Sequence, residues 1–139
     1  MKRRGVFYLL NMKRSTLITK LDRIFSKYIR LRATDYHGYG ECFTCGKRKH
    51  WKEVDAGHFQ SRGKYSVRWD EDNVQFQCKG CNMKNGGQQY VFGKNLDARF
   101  GEGTADRLVS AGHKTQKFAT FELEEMVEKY NKLVREMLE

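Results

Sequence analysis

The sequence has 139 residues, 27 Lys and Arg against 17 Asp and Glu, and a mean hydropathy of −0.80. Its length allows one domain, or one small core with helical extensions. Its low hydropathy predicts a small core, and such cores usually need a cross-link such as a structural metal ion or disulfides for stability. We expect neither a membrane protein nor a secreted one, because no apolar stretch could span a bilayer and the start lacks the apolar run and cleavage site of a signal peptide.

The charge of the chain is unevenly distributed. The formal net charge is +10, and residues 1–35 contain ten Lys and Arg against two Asp. Residues 119–139 instead contain six Glu against three basic residues. This distribution favours a polyanionic partner such as nucleic acid at the basic end. The alternative is a merely soluble surface, which charge alone does not exclude.

The predicted elements begin with a basic arm and a helix. Residues 1–14 form the arm, and a helix capped by Ser15 or Thr16 continues to about Ala33. Apolar residues recur along this helix at a spacing of three and four, which predicts a stripe that packs into the core. The basic residues around the stripe either contact phosphates or are simply solvated.

The middle of the chain predicts strands and loops, and the remainder predicts helices. Glycines and charged residues indicate loops over residues 34–40 and 47–52. Alternating apolar residues indicate strands over residues 53–59, 65–69 and 73–77. Helical spacing predicts the first turns of a helix at residues 82–85 and further helices over residues 88–100, 104–111 and 121–138.

Two C-x-x-C pairs carry the strongest signal in the sequence. They are Cys42 with Cys45 and Cys78 with Cys81, and 32 residues separate the pairs. Four thiolates in tetrahedral geometry select Zn²⁺, and the spacing leaves room for a hairpin or two. Disulfides are disfavoured in a chain without secretion signals, and a redox C-x-x-C would not be duplicated. We therefore expect a structural zinc with no open position for catalysis.

The residues around these pairs resemble the HNH endonucleases, also called ββα-metal or His-Me finger enzymes. The resemblance rests on Gly57-His58-Phe59, on Asn73 ahead of Cys78, and on Asn82 directly after Cys81. It implies that a strand histidine activates water, that a second-strand asparagine orients it, and that a helix residue binds a divalent metal. An asparagine at that last place is also similar to phage endonuclease VII, which makes the chain an H-N-N variant.

A closer resemblance is to the bacteriophage NinG/Rap recombination family. It is carried by the strings Asp55-Ala-Gly-His58, Arg68-Trp-Asp-Glu-Asp-Asn73 and Gln77-Cys-x-x-Cys-Asn82, and it covers roughly residues 22–135. The resemblance implies a structure-selective endonuclease for branched DNA such as Holliday junctions. In many HNH enzymes the metal-binding acid directly precedes the histidine, where this chain has a glycine.

The chemistry of phosphodiester hydrolysis suits these residues. A neutral imidazole at His58 can act as general base near pH 7. Oxygens of Asp55 and Asn82, with water, can hold a hard Mg²⁺ or Mn²⁺ against the phosphate and the leaving oxygen. Asn73 can orient the imidazole or a loop carbonyl. Candidate phosphate contacts are Arg62, Lys64 and Lys84.

Each candidate also has a structural interpretation. His58 lies beside an aromatic residue and could be a core histidine. Asp55 could cap a turn, Asn82 could be an ordinary helix N-cap, and Asn73 could be a turn residue at a strand edge. These readings require no second metal.

We expect an α+β fold in which a zinc-stapled, treble-clef ββα core is flanked by N- and C-terminal helices. The expected segments are residues 1–35 as basic arm and helix, 36–100 as nuclease core, and 101–139 as a helical extension. The expected function is that of a metal-dependent DNA endonuclease in the cytoplasm of the host bacterium. It is expected to act as a homodimer, because a four-way junction needs two opposed cuts. The alternatives are a non-catalytic zinc-ribbon nucleic-acid-binding module, and a general HNH nickase of duplex DNA in phage packaging or homing.

Overall fold

The computed structural model describes residues 12–139 and confirms the predicted α+β class. Of the predicted basic arm, residues 1–11 lie outside the described residues. In chain order the elements are α1 (Arg14–Arg32), β1 (Tyr39–Glu41), β2 (Arg48–His50), a 3-10 turn (Trp51–Glu53), β3 (Val54–His58), α2 (Tyr65–Arg68), β4 (Val74–Cys78), a π turn (Gly80–Lys84), α3 (Gln89–Phe100), α4 (Thr104–Gly112) and α5 (Thr120–Leu138). Along the described chain, no helix combines the length and apolar character needed to cross a membrane.

The helices predicted over residues 88–100, 104–111 and 121–138 are confirmed to within a residue at each end, because their apolar spacing is regular over many turns. The first helix ends within a residue of the predicted Ala33, but it begins at Arg14, so Ser15 and Thr16 lie inside it and the predicted cap is wrong. The chain divides into two compact units, which are described separately. The described part of the first comprises residues 12–28 and 117–139, and the second comprises residues 29–116.

The first unit contains α5 and most of α1. Phe25 of α1 meets Tyr130 of α5 edge to face, with ring centroids 5.0 Å apart, and Tyr28 lies at the same distance from Tyr130. The apolar stripes of the two helices therefore face each other. Their buried members are Leu17, Leu21, Phe25, Leu123, Val127, Tyr130 and Val134.

The second unit opens with an antiparallel hairpin of β1 and β2, in which Tyr39 pairs with His50 and Glu41 pairs with Arg48. The prediction of a charged loop over residues 47–52 is wrong, because this segment forms β2 and the start of the 3-10 turn. Trp51 is the one apolar residue of this segment, and β2 itself reads Arg-Lys-His, so no apolar alternation marks the strand. Backbone pairing forms it instead, including the bond from the N–H of Cys42 to the carbonyl of Lys47 at 2.9 Å.

A second antiparallel hairpin, β3 with β4, confirms the predicted strands over residues 53–59 and 73–77. Asp55 pairs with Gln77, and His58 pairs with Val74. Every residue of β4 is buried. The N–H of Phe43 donates to the carbonyl of Phe76 at 2.8 Å and so connects the turn of the first hairpin to the second.

The strand predicted over residues 65–69 is wrong. These residues form α2, a single turn in which Val67 is fully buried and the N–H of Asp70 donates to the carbonyl of Val67. The alternation of Tyr65, Val67 and Trp69 indicated a strand. The structure buries Val67 within this turn and Trp69 directly after it, and that gives a similar pattern of every second residue over five positions.

The last cysteine is followed by the π turn and then, after a break at Gly86 and Gly87, by α3. The helical start predicted at residues 82–85 is thus a wider turn, closed by the N–H of Asn85 on the carbonyl of Gly80 at 3.1 Å. Helices α3 and α4 cover the hairpins with a shared core. Its buried members are Phe43, Phe59, Val67, Phe92, Leu96 and Leu108.

Candidate metal centre and hydrolytic site

The four cysteines converge on one point of the second unit. Cys42 and Cys45 lie in the turn between β1 and β2, Cys78 ends β4, and Cys81 lies in the π turn. Their four Sγ atoms lie within 4.8 Å of one another, and Cys45 and Cys78 are 3.7 Å apart at Sγ. Zn–S bonds of about 2.3 Å in a tetrahedron place sulfurs about 3.8 Å apart. The cluster therefore has the size and donor chemistry to hold a metal such as zinc.

Hydrogen bonds to sulfur favour thiolates in this cluster. The backbone N–H of Cys78 donates to Cys42 Sγ at 3.3 Å, and the N–H of Cys81 donates to Cys78 Sγ at 3.4 Å. Burial raises the pKa of the Cys42 thiol, but the Cys78 N–H and the Thr44 hydroxyl outweigh it and lower that pKa to about 6. Burial raises the pKa of the Cys81 thiol to about 12. A bound cation is needed to hold all four as thiolates at neutral pH.

Thr44 and Gln77 extend this centre, and the sequence analysis missed both. Thr44 Oγ1 lies 3.4 Å from Cys42 Sγ and accepts a hydrogen bond from Gln77 Nε2 at 3.1 Å. The same Nε2 donates to the carbonyl of Gly87 at 2.9 Å. Gln77 is fully buried, whereas the apolar alternation predicts Val74 and Phe76 as the inward residues of β4 and leaves Gln77 on the opposite face, so no pattern in the sequence indicated its role.

The structure brings together Asp55 and Asn82, the two predicted ligands of a catalytic metal. Asn82 Nδ2 lies 3.0 Å from Asp55 Oδ2, between β3 and the π turn that carries Cys81. Rotation of the Asn82 side-chain amide by 180° would exchange its nitrogen and oxygen and place the oxygen in the position that Nδ2 now occupies. Lys79 Nζ lies 2.7 Å from the other carboxylate oxygen, Oδ1. Within residues 12–139, no second group of three or more Cys, His, Asp or Glu ligands comes as close as the cysteines do.

Gly57 explains why no carboxylate directly precedes the histidine. A Cβ at Gly57 would collide with Oε1 of Gln77, so no side chain fits there. That Oε1 is buried and has no hydrogen-bond partner among residues 12–139. Asp55 is the nearest preceding acid in β3, and it reaches Asn82 from there.

His58 is held by a backbone carbonyl. Its Nε2 lies 3.0 Å from the carbonyl oxygen of Arg68, at the end of α2. A carbonyl only accepts hydrogen bonds, so the neutral ring must carry its proton on Nε2 to make this contact. That tautomer places the basic lone pair on Nδ1.

Asn73 stabilises the loop that supplies this carbonyl through hydrogen bonds. Its Oδ1 accepts from the N–H of Gln60 at 2.8 Å, and its Nδ2 donates to the carbonyls of Gln60 and Val67, each at 3.0 Å. Of the two predicted tasks, orienting the imidazole or a loop carbonyl, the second agrees with these hydrogen bonds to loop carbonyls. Asn73 is fully buried, and Val67 directly precedes Arg68.

The predicted phosphate contacts are spread over two loops. Arg62 and Lys84 are exposed, and Lys64 is half-buried beside Gly112. Arg30, which the sequence analysis left in the general basic face of α1, interacts electrostatically with Asp55. Burial lowers the pKa of the Arg30 guanidinium, and the charge of Asp55 opposes that shift. Position along a helix could not reveal this proximity.

Comparison with known proteins places the chain in a family. The family model described as bacteriophage lambda NinG protein matches residues 9–139. The chain is 27% identical over 125 residues to protein ninG of Salmonella phage P22. It is 26% identical over 125 residues to the ninG proteins of Escherichia phage 933W and Enterobacteria phage VT2-Sa. Each alignment covers 89% of this chain and 59% of the relative, so the chain spans less than two thirds of their length. No solved structure matches. With nearly its whole length matched by the family model, the chain belongs to the NinG family.

Proposed function

We propose that the chain is a metal-dependent DNA endonuclease that acts on branched DNA during phage recombination. The observation that carries the proposal is the hydrogen bond between His58 Nε2 and the carbonyl of Arg68, because it sets the tautomer of a general base. The net charge of +10 suits a polyanionic substrate. Membership of a phage protein family supports a recombination-related role in the host cytoplasm.

In the proposed reaction, Nδ1 of His58 removes a proton from water. The water oxygen forms a bond to phosphorus, and the bond between phosphorus and the 3′ oxygen breaks. The leaving 3′ oxygen takes up a proton from solvent water, so the products are a 5′-phosphate and a 3′-hydroxyl, and His58 returns its own proton to solvent. Asn73 acts on this step indirectly, because it fixes the loop whose carbonyl holds the imidazole in place.

Asp55 and Asn82 would hold the divalent ion, with water and phosphate oxygens completing its coordination. When bound, the ion supplies a positive charge that offsets the charge developing on the phosphate and on the leaving oxygen. The proposed metal is Mg²⁺ or Mn²⁺, since oxygen donors suit hard cations. The zinc proposed for the cysteines has four sulfur ligands and no open position, so its contribution is to hold Asn82 beside Asp55.

The proposal is tested with labelled Holliday junction, flap, duplex and single-stranded DNA, with and without added Mg²⁺ or Mn²⁺, for wild type and His58→Ala. We expect wild type to cut branched DNA only when a divalent ion is present, and His58→Ala to lose at least about a hundredfold in rate. Cleavage by His58→Ala at the wild-type rate would contradict the mechanism. A zinc-ribbon module predicts binding without cleavage, and a general nickase predicts equal cutting of plain duplex.

A further inference from the structure

Aromatic side chains gather on the surface around the first hairpin. Tyr36 is 98% exposed, and its ring meets that of His37 edge to face with centroids 5.4 Å apart. Tyr39 is 39% exposed, and the ring centroids of Tyr39 and His50 lie 5.2 Å apart. His50 and Trp51 follow at 6.0 Å with nearly parallel rings. In contrast to the buried phenylalanines of the core, none of these rings is fully covered. We call Tyr36, Tyr39, His50 and Trp51 the aromatic surface.

Cationic side chains lie over these rings. The guanidinium of Arg48 is 5.0 Å from the centroid of Tyr39. Arg30 and Lys52 both lie over Trp51, at 5.3 and 5.6 Å. Rings interleaved with positive charges offer flat apolar faces and anion-binding groups at the same place.

The backbone holds the aromatic surface in a fixed shape. Asp35 Oδ1 accepts hydrogen bonds from the N–H groups of His37 and Tyr39 at 2.9 and 3.0 Å, and its Oδ2 pairs with Arg48 at 2.8 Å. Gly38 has a φ of 86°, and a Cβ there would lie 2.7 Å from His50 Nε2. The turn that carries Tyr36 and the strand positions of Tyr39 and His50 are therefore set before any ligand arrives, which lowers the entropy cost of binding.

The surface adjoins the proposed hydrolytic site. Trp51 begins the 3-10 turn that leads into β3, and its carbonyl accepts a hydrogen bond from Arg30 Nη1 at 3.0 Å. The charge of Arg30 in turn acts on Asp55. A strand whose bases lie on the rings could therefore continue past Arg30 toward Asp55.

We propose that the aromatic surface binds unpaired nucleotides of the DNA substrate, and this inference rests on the proposed endonuclease function. In a duplex the bases are stacked on one another, so their faces are not available to protein rings. Unpaired bases expose these faces, while their phosphates meet Arg48, Lys52 and Arg30. The surface would thus favour DNA that carries unpaired nucleotides beside the cut.

The test uses the fluorescence of Trp51. The chain has two tryptophans, and Trp69 is 7% exposed, so Trp69→Phe leaves Trp51 as the sole reporter. This variant is titrated with a single-stranded oligothymidylate and with a blunt duplex of equal length, in buffer without added divalent ion. We expect the single strand to quench the emission and to bind about tenfold more tightly than the duplex.

Point variants test whether binding needs an aromatic ring at Tyr36. Tyr36→Ala is expected to weaken single-strand binding about tenfold, and Tyr36→Phe to retain it, because stacking needs the ring and not the hydroxyl. The matched control is Tyr90→Ala in α3, since Tyr90 is 77% exposed and lies under Lys94 at 5.3 Å. Zinc content near one per chain verifies folding of each variant.

Three results would overturn the inference: no quenching of Trp51, equal losses in Tyr36→Ala and Tyr90→Ala, or equal quenching by duplex DNA or by polyglutamate. The last would indicate a general anion site or a peptide site. Because binding is measured without a divalent ion, failure of the nuclease proposal is seen separately.

Discussion

Lys79 Nζ lies 2.7 Å from Oδ1 of Asp55, while Asn82 Nδ2 lies 3.0 Å from Oδ2 of the same carboxylate. Both oxygens of the proposed metal ligand are therefore already engaged. Lys79 stands between Cys78 and Cys81, so the cysteine cluster fixes where its side chain begins. A divalent ion that binds Asp55 must share the carboxylate with this ammonium group or displace it.

Lys79→Met should strengthen divalent-ion binding. Removal of a competing positive charge from a partly exposed carboxylate favours Mn²⁺ by about fivefold. The affinity is measured without DNA, from the loss of the free Mn²⁺ signal in electron paramagnetic resonance. Lys84→Met is the matched control, because Lys84 is an exposed lysine of the same π turn. Equal Mn²⁺ affinities in wild type and both variants would mean that Asp55 does not hold the ion.

Gly57→Ala should destabilise the second unit. A Cβ there collides with Gln77 Oε1, and Gln77 cannot move without losing its bonds to Thr44 and Gly87. Overpacking of this kind costs about 1–3 kcal/mol. Urea unfolding with zinc present measures the loss of free energy of unfolding.

Gly63→Ala is the control, since a Cβ at Gly63 meets only Ser61 Oγ at 3.7 Å, and it should be nearly neutral. Similar losses in both variants would contradict the collision.

Asn73→Ala should lower both stability and activity. The substitution leaves one N–H and two carbonyls of the loop without their side-chain partner, at a cost of about 3 kcal/mol. The turnover number should fall along with stability, because the loop supplies the carbonyl that holds His58. Gln75→Ala serves for comparison, since Gln75 is also buried and its Nε2 donates to the carbonyl of Asp72 at 3.0 Å. That variant should lose about 1 kcal/mol and retain turnover; a larger effect from Gln75 than from Asn73 would reject the assigned role.

The sequence predicted those features that depend on local spacing. Two C-x-x-C pairs are complete signals in themselves, and the helices repeat their apolar period over several turns. Short segments were less predictable: β2 carries no apolar pattern, and the five residues around α2 fit a strand and a helical turn equally well. The contacts of Lys79, Arg30 and Gln77 arise from tertiary structure. The neighbours of each residue in the sequence do not reveal which residues of other elements it contacts in the folded chain.

The family resemblance predicted more of the candidate site than spacing did. It singled out Asp55 and Asn82, which the structure brings to hydrogen-bond distance, although they are far apart in the chain. It did not explain the glycine before His58. The explanation lies in Gln77 on the neighbouring strand, whose side chain fills the space that a carboxylate would need.

Removal of the proposed zinc should unfold the second unit. Cys42, Cys45, Cys78 and Cys81 join the first hairpin, the end of β4 and the π turn, which otherwise share a small core. Structural zinc contributes about 10–16 kcal/mol in small zinc-binding peptides, which is as large as the whole stability of a typical domain, about 5–15 kcal/mol.

Treatment with a mercurial reagent should release one zinc per chain, and far-ultraviolet circular dichroism should then lose its native signal. A thiol reagent should react with four cysteines only after strong chelation. A chain that keeps its native spectrum without metal would show that the core alone is sufficient. That result would also remove the reason to expect Asn82 to depend on the cluster for its place beside Asp55.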